Sequence, residues 1–196
     1  MLIGLAGKSC SGKNIVGELL SARNMEVMDL DRVAHTVLDS CAEEVSACFG
    51  PQTVLEDGHV DRKALGKIVF SDPVKRSALE SIVYGKLGEQ IKEVLQKSER
   101  DVVINGALLY RSGFDAWCSC LVYVDASYEV RLARAKERDG VDGETFMLRE
   151  ASQDDVDYRK VDYRCPVIPF DNGAGMPSDI DIDALLAKIE CYRRQR

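Results

Sequence analysis

The chain has 196 residues, 45% of them hydrophobic and 30% charged, which supplies a core without disulfide or metal staples and excludes a disordered or low-complexity polymer. With 26 Lys and Arg against 33 Asp and Glu, the net charge of −7 sets the surface as a whole against nucleic acid and anionic membrane. No run approaches the roughly 18 consecutive apolar residues of a membrane span. Met1-Leu2-Ile3-Gly4-Leu5-Ala6 has no basic leader and reads as a buried strand, not an export signal. Cys10, Cys41, Cys48, Cys118, Cys120, Cys165 and Cys191 lack metal-ligand spacing, and their odd count fits reduced thiols in a cytoplasm.

The apolar pattern alternates between strands and helices. Leu2–Ala6 predicts a strand and Lys13 to about Arg23 a helix carrying Ile15, Val16, Leu19 and Leu20 on one face. Glu26–Leu30 predicts a second strand, followed by helices over Arg32–Leu38, Ala42–Phe49 and Asp61–Phe70. Ser71 or Asp72 can cap the next helix, with Pro73 at its first position and Gly85 and Gly88 as possible breaks before Lys97. Val102–Asn105 and Cys120–Val124 predict strands, Ser127 caps a helix through Arg138, and Glu144 to about Gln153 forms another. Pro166–Phe170 is the last strand and Asp179 to about Arg193 the closing helix. This succession predicts an α/β fold with a parallel sheet wrapped by helices.

Gly7-Lys8-Ser9-Cys10-Ser11-Gly12-Lys13 matches G-x-x-x-x-G-K directly between the first strand and the first helix, the context of a phosphate-binding loop. The glycines permit close backbone approach, successive N–H groups and the helix N-terminus surround a phosphate, and Lys13 adds a mobile charge. A Ser or Thr ordinarily follows that lysine and meets Mg²⁺; here it is Asn14, whose amide oxygen is a candidate metal ligand. Lys8 either adds charge near the phosphates or points into solvent. Asp29 and Asp31 fall at the carboxyl end of the second strand, where open α/β sheets bind ligands, and alternation sends both side chains to one side. One could accept a proton from an attacking hydroxyl or hold Mg²⁺ through water, and one could cap the following helix. Arg131, Arg134 and Arg138 share one side of a helix, as phosphate contacts or as a solvated face interleaved with Glu129 and Glu137.

These motifs, in order, resemble the dephospho-coenzyme A kinase family. The likeness runs through Gly4–Lys13, Val27–Ala34, Ala64–Pro73, Leu108-Leu109-Tyr110, Val122–Asp125, Arg131, Arg134, Arg138-Asp139-Gly140, Arg149, Gln153 and Asp171-Asn172-Gly173. The resemblance implies a P-loop three-layer α/β/α fold with a five-stranded parallel sheet. Its nucleotide-binding core would span 1–31, 98–133 and 164–196, a helical substrate domain 32–97, and a lid 134–163. It implies transfer of phosphate from ATP, with Mg²⁺, to the ribose 3′-hydroxyl of dephospho-coenzyme A. Lys13, Asp31 as general base and Arg138 would be catalytic. ATP would meet Gly7, Lys8, Ser9, Cys10, Ser11, Gly12, Lys13, Asn14, Ile15 and Arg134, with Asn172 and Gly173 at the adenine; Asp29, Asp31 and Leu108 would border the acceptor. Tyr84-Gly85, Ala107 and Arg111 depart from the family pattern. Another small-molecule or nucleotide kinase, or a nucleotide-binding module without turnover, are the alternatives.

Overall fold

The computed structural model describes residues 1–69 and 72–193. The chain forms two compact units, one of Met1–Asp29 with Lys97–Arg196 and one of Leu30–Gln96. In the first, β1 (Leu2–Ala6) is buried along its whole length, as a central parallel strand must be. It leads through a glycine-rich turn into α1 (Lys13–Ala22) and β2 (Glu26–Asp29).

The second unit carries α2 (Leu30–Ser40), α3 (Ala42–Phe49), a 3₁₀ turn at Pro51–Thr53, α4 (Arg62–Val69) and most of α5 (Pro73–Lys97). Leu30, Val37, Cys41, Val45, Phe49, Val60, Leu65, Val69, Leu87 and Ile91 are its buried apolar residues among those described. Asp61 accepts from the Lys63 and Ala64 amides, and Asp72 from those of Val74 and Lys75, supplying acceptors that the first turns of α4 and α5 lack within themselves. Phe70 and Ser71, the expected helix end and alternative cap, lie outside the described residues. A cavity of about 310 Å³ opens among Ala34, Leu38, Leu65, Val69, Leu79 and Val83, with His35 and Arg62 also lining it.

The chain returns through β3 (Val102–Asn105), α6 (Leu109–Ser112), a 3₁₀ turn at Phe114–Trp117, β4 (Cys120–Asp125), α7 (Tyr128–Asp139), α8 (Gly143–Ala151), β5 (Val167–Asp171) and α9 (Asp179–Arg193). The strand order is β2-β3-β1-β4-β5, and every pairing is parallel. Alternation sends Ile3, Leu5, Val103, Val122 and Val124 into one core with Val16 and Leu20 of α1 and Ile182, Leu185 and Ile189 of α9. On the opposite face Gly4 leaves room for Leu109, Cys118 and Leu121, which a Cβ would meet at 3.1–3.3 Å.

Several element bounds differ from the sequence reading. Pairing of β2 ends at Asp29 opposite Asn105, and Leu30 is buried as the first residue of α2. Asp31 therefore sits in a helical first turn, where strand alternation no longer relates it to Asp29. Helix α5 runs unbroken through Gly85 and Gly88, since Leu87, Gly88 and Ile91 form its buried stripe. β5 is shifted by one residue, with Pro166 contributing only its carbonyl, to the Leu121 amide. Asp142 caps α8 through the Thr145 amide, so the helix begins at Gly143 and stops before Gln153; Ser127 caps α7 as expected.

Asp115 is fully buried after α6 and accepts from the Arg164 backbone amide at 2.8 Å and its guanidinium at 2.7 Å, while that guanidinium lies over the Tyr110 ring. Asp115→Ala is expected to cost about 3 kcal/mol by stranding the amide and losing a charge-assisted bond, read as a loss of unfolding free energy in urea.

Candidate functional site

The turn from β1 to α1 is shaped from behind. Arg134 of α7 donates to the carbonyls of Ser11 at 3.1 Å and Cys10 at 3.4 Å, and to that of Asn172 at 2.7 Å. Asn172, 3% exposed just past β5, donates its amide to the same Ser11 carbonyl at 2.7 Å and its backbone N–H to Asp125. Two donors thus hold one loop carbonyl away from the cradle. Cys10 adopts a left-handed φ of 61°, and Gly12 one of 93°. A Cβ on Gly12 would overlap the Asn172 amide, and one on Gly7 would lie 2.5 Å from the Val124 carbonyl. These positions accept only glycine, and the loop is a close-packed backbone turn leading into the positive end of α1.

Lys8 does not point into solvent. It is 7% exposed, and its ammonium meets Glu150 at 2.5 Å and Asp157 at 3.2 Å. Glu150 also receives Arg131 at 2.6 Å, and Asp157 receives Arg159, which reaches on to Asp125. Arg131 is itself buried, with Nε donating to the Ala126 carbonyl, so the solvated-face reading fails for it. Burial works against the Asp157 carboxylate, but the bonds from Arg159 and Lys8 outweigh it and hold its pKa at about 2; the same opposition, with Arg131 and Lys8 prevailing, lowers that of Glu150. These groups border a polar cavity of about 530 Å³. The Ser9 amide donates to Gln153 Oε1 at 2.9 Å, a second tie between loop and segment 134–163.

The remaining expected residues divide. Lys13 lies in the first turn of α1 with its ammonium 3.4 Å from Asn14 Oδ1, and Ile15 is exposed one step on. Gly173 donates its amide to Asp171. Arg138 is largely exposed and bidentate to its neighbour Asp139 at 2.7 and 2.8 Å, an acid pulled down to about 2 chiefly by that bond. Leu108 precedes α6, Asp29 ends β2, and Asp31 opens the second unit. Arg111 pairs with Asp155 at 2.6 Å, which gives that departure a structural partner.

Asn105 was not singled out from the sequence. It is 3% exposed and donates to Asn14 Oδ1 at 3.0 Å; its place at the carboxyl end of β3 was the available signal. Glu150, Asp157 and Arg159 had no local signal, because Lys8 meets Glu150 across 142 residues of chain.

A parallel sheet in this order, with a glycine-bounded loop from its first strand gripped by a helix arginine, defines a P-loop kinase. Shikimate kinase from Acinetobacter baumannii shares that fold, with a TM-score of 0.54 at 15% identity over 96% of this chain and 93% of that one. A crystal structure of a Thermus thermophilus protein superposes with a TM-score of 0.79 at 29% identity, covering 97% of this chain and 96% of that one. The family model described as dephospho-CoA kinase matches residues 1–166. The dephospho-CoA kinase of Fusobacterium nucleatum is 34% identical over 147 residues, 74% of this chain and 76% of that protein. The chain belongs to the dephospho-CoA kinase family.

Because the folded-state pKa of Asp157 is depressed, its contribution to stability is present above about pH 4 and lost as pH falls toward 2. Asp157→Asn is expected to cost on the order of 2 kcal/mol at pH 7 and to flatten the fall in melting temperature between pH 4 and 2, measured by calorimetry.

Proposed function

We propose that this protein transfers the γ-phosphoryl group of ATP to the ribose 3′-hydroxyl of dephospho-coenzyme A, yielding coenzyme A and ADP. The observation that carries the reading is the Gly7–Lys13 loop, tied by Arg134 and Asn172 in a chain of this family. Phosphoryl transfer asks a protein for alignment, cations on the transferring oxygens and exclusion of water, with little covalent chemistry. The loop amides from Gly7 to Gly12 and the start of α1, through Asn14 and Ile15, bind the phosphates. Lys13 leaves Asn14 to follow the γ-phosphoryl oxygens. Asn14 would hold the Mg²⁺ that accompanies ATP, and the ion would supply charge neutralisation on the phosphates.

Asp31 takes the proton of the 3′-hydroxyl as it attacks, with Asp29 and Leu108 bordering the acceptor. Arg138 exchanges Asp139 for the transferring group, while Arg134 keeps the loop in shape, and Asn172 and Gly173 flank the adenine. Segment 134–163 acts as the lid that keeps water from the phosphoryl group. The reaction belongs to the cytoplasm, without nucleic acid or membrane as partner. Arg111 and Ala107 leave the acceptor as the point to test.

A coupled ADP-release assay with dephospho-coenzyme A and Mg²⁺ is expected to show turnover; a folded, ATP-binding protein without it overturns the assignment. Lys13→Ala should lower kcat by about 100-fold or more with an unchanged melting temperature. Asp31→Asn should lower kcat by about 100-fold while KM for ATP stays within about threefold; equal losses in both would make Asp31 a metal-binding group instead.

A further inference from the structure

P-loop NTPases commonly hold the divalent ion of the nucleotide between a hydroxyl on the residue after the loop lysine and a carboxylate at a nearby strand end. In this chain those two places carry carboxamides. Asn14 follows Lys13, and Asn105 ends β3, the strand paired with β1, in register with Leu5. The two side chains meet: Asn105 Nδ2 donates to Asn14 Oδ1 at 3.0 Å, and Lys13 Nζ approaches the same oxygen at 3.4 Å. With both donors in place the two lone pairs of Asn14 Oδ1 are used, and departure of Lys13 to the phosphates returns one of them. Asn105 Oδ1, by contrast, is buried and has no hydrogen-bond partner. An open acceptor in a 3% exposed side chain is an unfavourable arrangement that a bound group would relieve.

We propose that Asn14 and Asn105 form an uncharged corner for the divalent ion that accompanies ATP, with Asn105 as its positioning residue. The Asn105 amide N–H fixes Asn14 Oδ1 toward the loop, and its open oxygen serves the hydration shell of the ion. Carboxamide oxygens suit a hard cation but bring no formal charge. The ion therefore comes with the phosphates and is held by them, and the corner tolerates ATP without metal. A carboxylate in either position would reverse this, attracting the free cation and repelling bare triphosphate. Asp29, beside Asn105 in register on β2, stays unchanged in every variant below. The inference rests on the reading above only in requiring that ATP bind at the loop.

The test is calorimetric titration of ATP into the full-length protein, once with Mg²⁺ and once with EDTA, with the ratio of the two dissociation constants as readout. For the native chain the ratio is expected below about tenfold; a larger ratio overturns the proposal. Asn105→Asp is expected to raise the ratio by about tenfold or more, chiefly by weakening ATP in EDTA. Because Asn105 is buried, Asn14→Asp on the exposed first turn of α1 is measured beside it, with the same expectation and a thermal melt as fold control. A folded variant whose ratio stays nearer the native value overturns the proposal while leaving the kinase reading intact. ATP that fails to bind under either condition overturns both.

Discussion

One carbonyl, that of Ser11, organises the first unit of the chain. A guanidinium from α7 and a carboxamide from the end of β5 converge on it, so three segments far apart in sequence are fixed to one another at a single oxygen. The energetics favour the arrangement. A left-handed residue such as Cys10 costs roughly 1–2 kcal/mol, and each bond from a charged donor returns about 1.5–3. Arg134 makes such bonds to Cys10, Ser11 and Asn172, which is enough to hold the turn in a shape that its own torsional preferences oppose. The loop is thus built before any phosphate arrives.

The charges around it answer how an acidic chain can receive a polyanion. Lys8, Arg131 and Arg159 are matched against Glu150, Asp157 and Asp125 in a chain of ion pairs, so the buried cations Lys8 and Arg131 and the exposed Arg159 are neutralised where they stand. Lys8 consequently acts through position: it ties the loop to segment 134–163, alongside the Ser9–Gln153 bond. Lys13 also lies beside the cradle, its ammonium 3.4 Å from the Asn14 amide oxygen.

Much of this was legible in sequence because its signals are local. Strand β1 is a continuous apolar run, the loop has its glycines at fixed spacing, and Ser127 precedes a periodic stretch it can cap. The errors came where two local rules met. Asp29-Leu30-Asp31 reads equally as strand end or helix start, and only the partner strand, stopping at Asn105, decides. Gly85 and Gly88 are helix breakers by propensity, yet burial of Leu87, Gly88 and Ile91 overrides that preference. The carboxylates facing Lys8 and the amide facing Asn14 belong to tertiary structure alone. No spacing rule joins residue 8 to residue 150, and a single Asn at a strand end has no signature until its neighbour is known.

The second unit is one excursion of the chain, leaving after Asp29 and returning at Lys97, and the strands on either side of it, β2 and β3, are hydrogen-bonded neighbours. The sheet fixes where that excursion departs and where it must come back. Beyond that it imposes nothing, because lengthening a closed segment adds only about 0.6 kcal/mol per doubling. A longer or shorter chain between Asp29 and Lys97 would therefore leave the β2–β3 pairing, and the loop that follows β1, where they are.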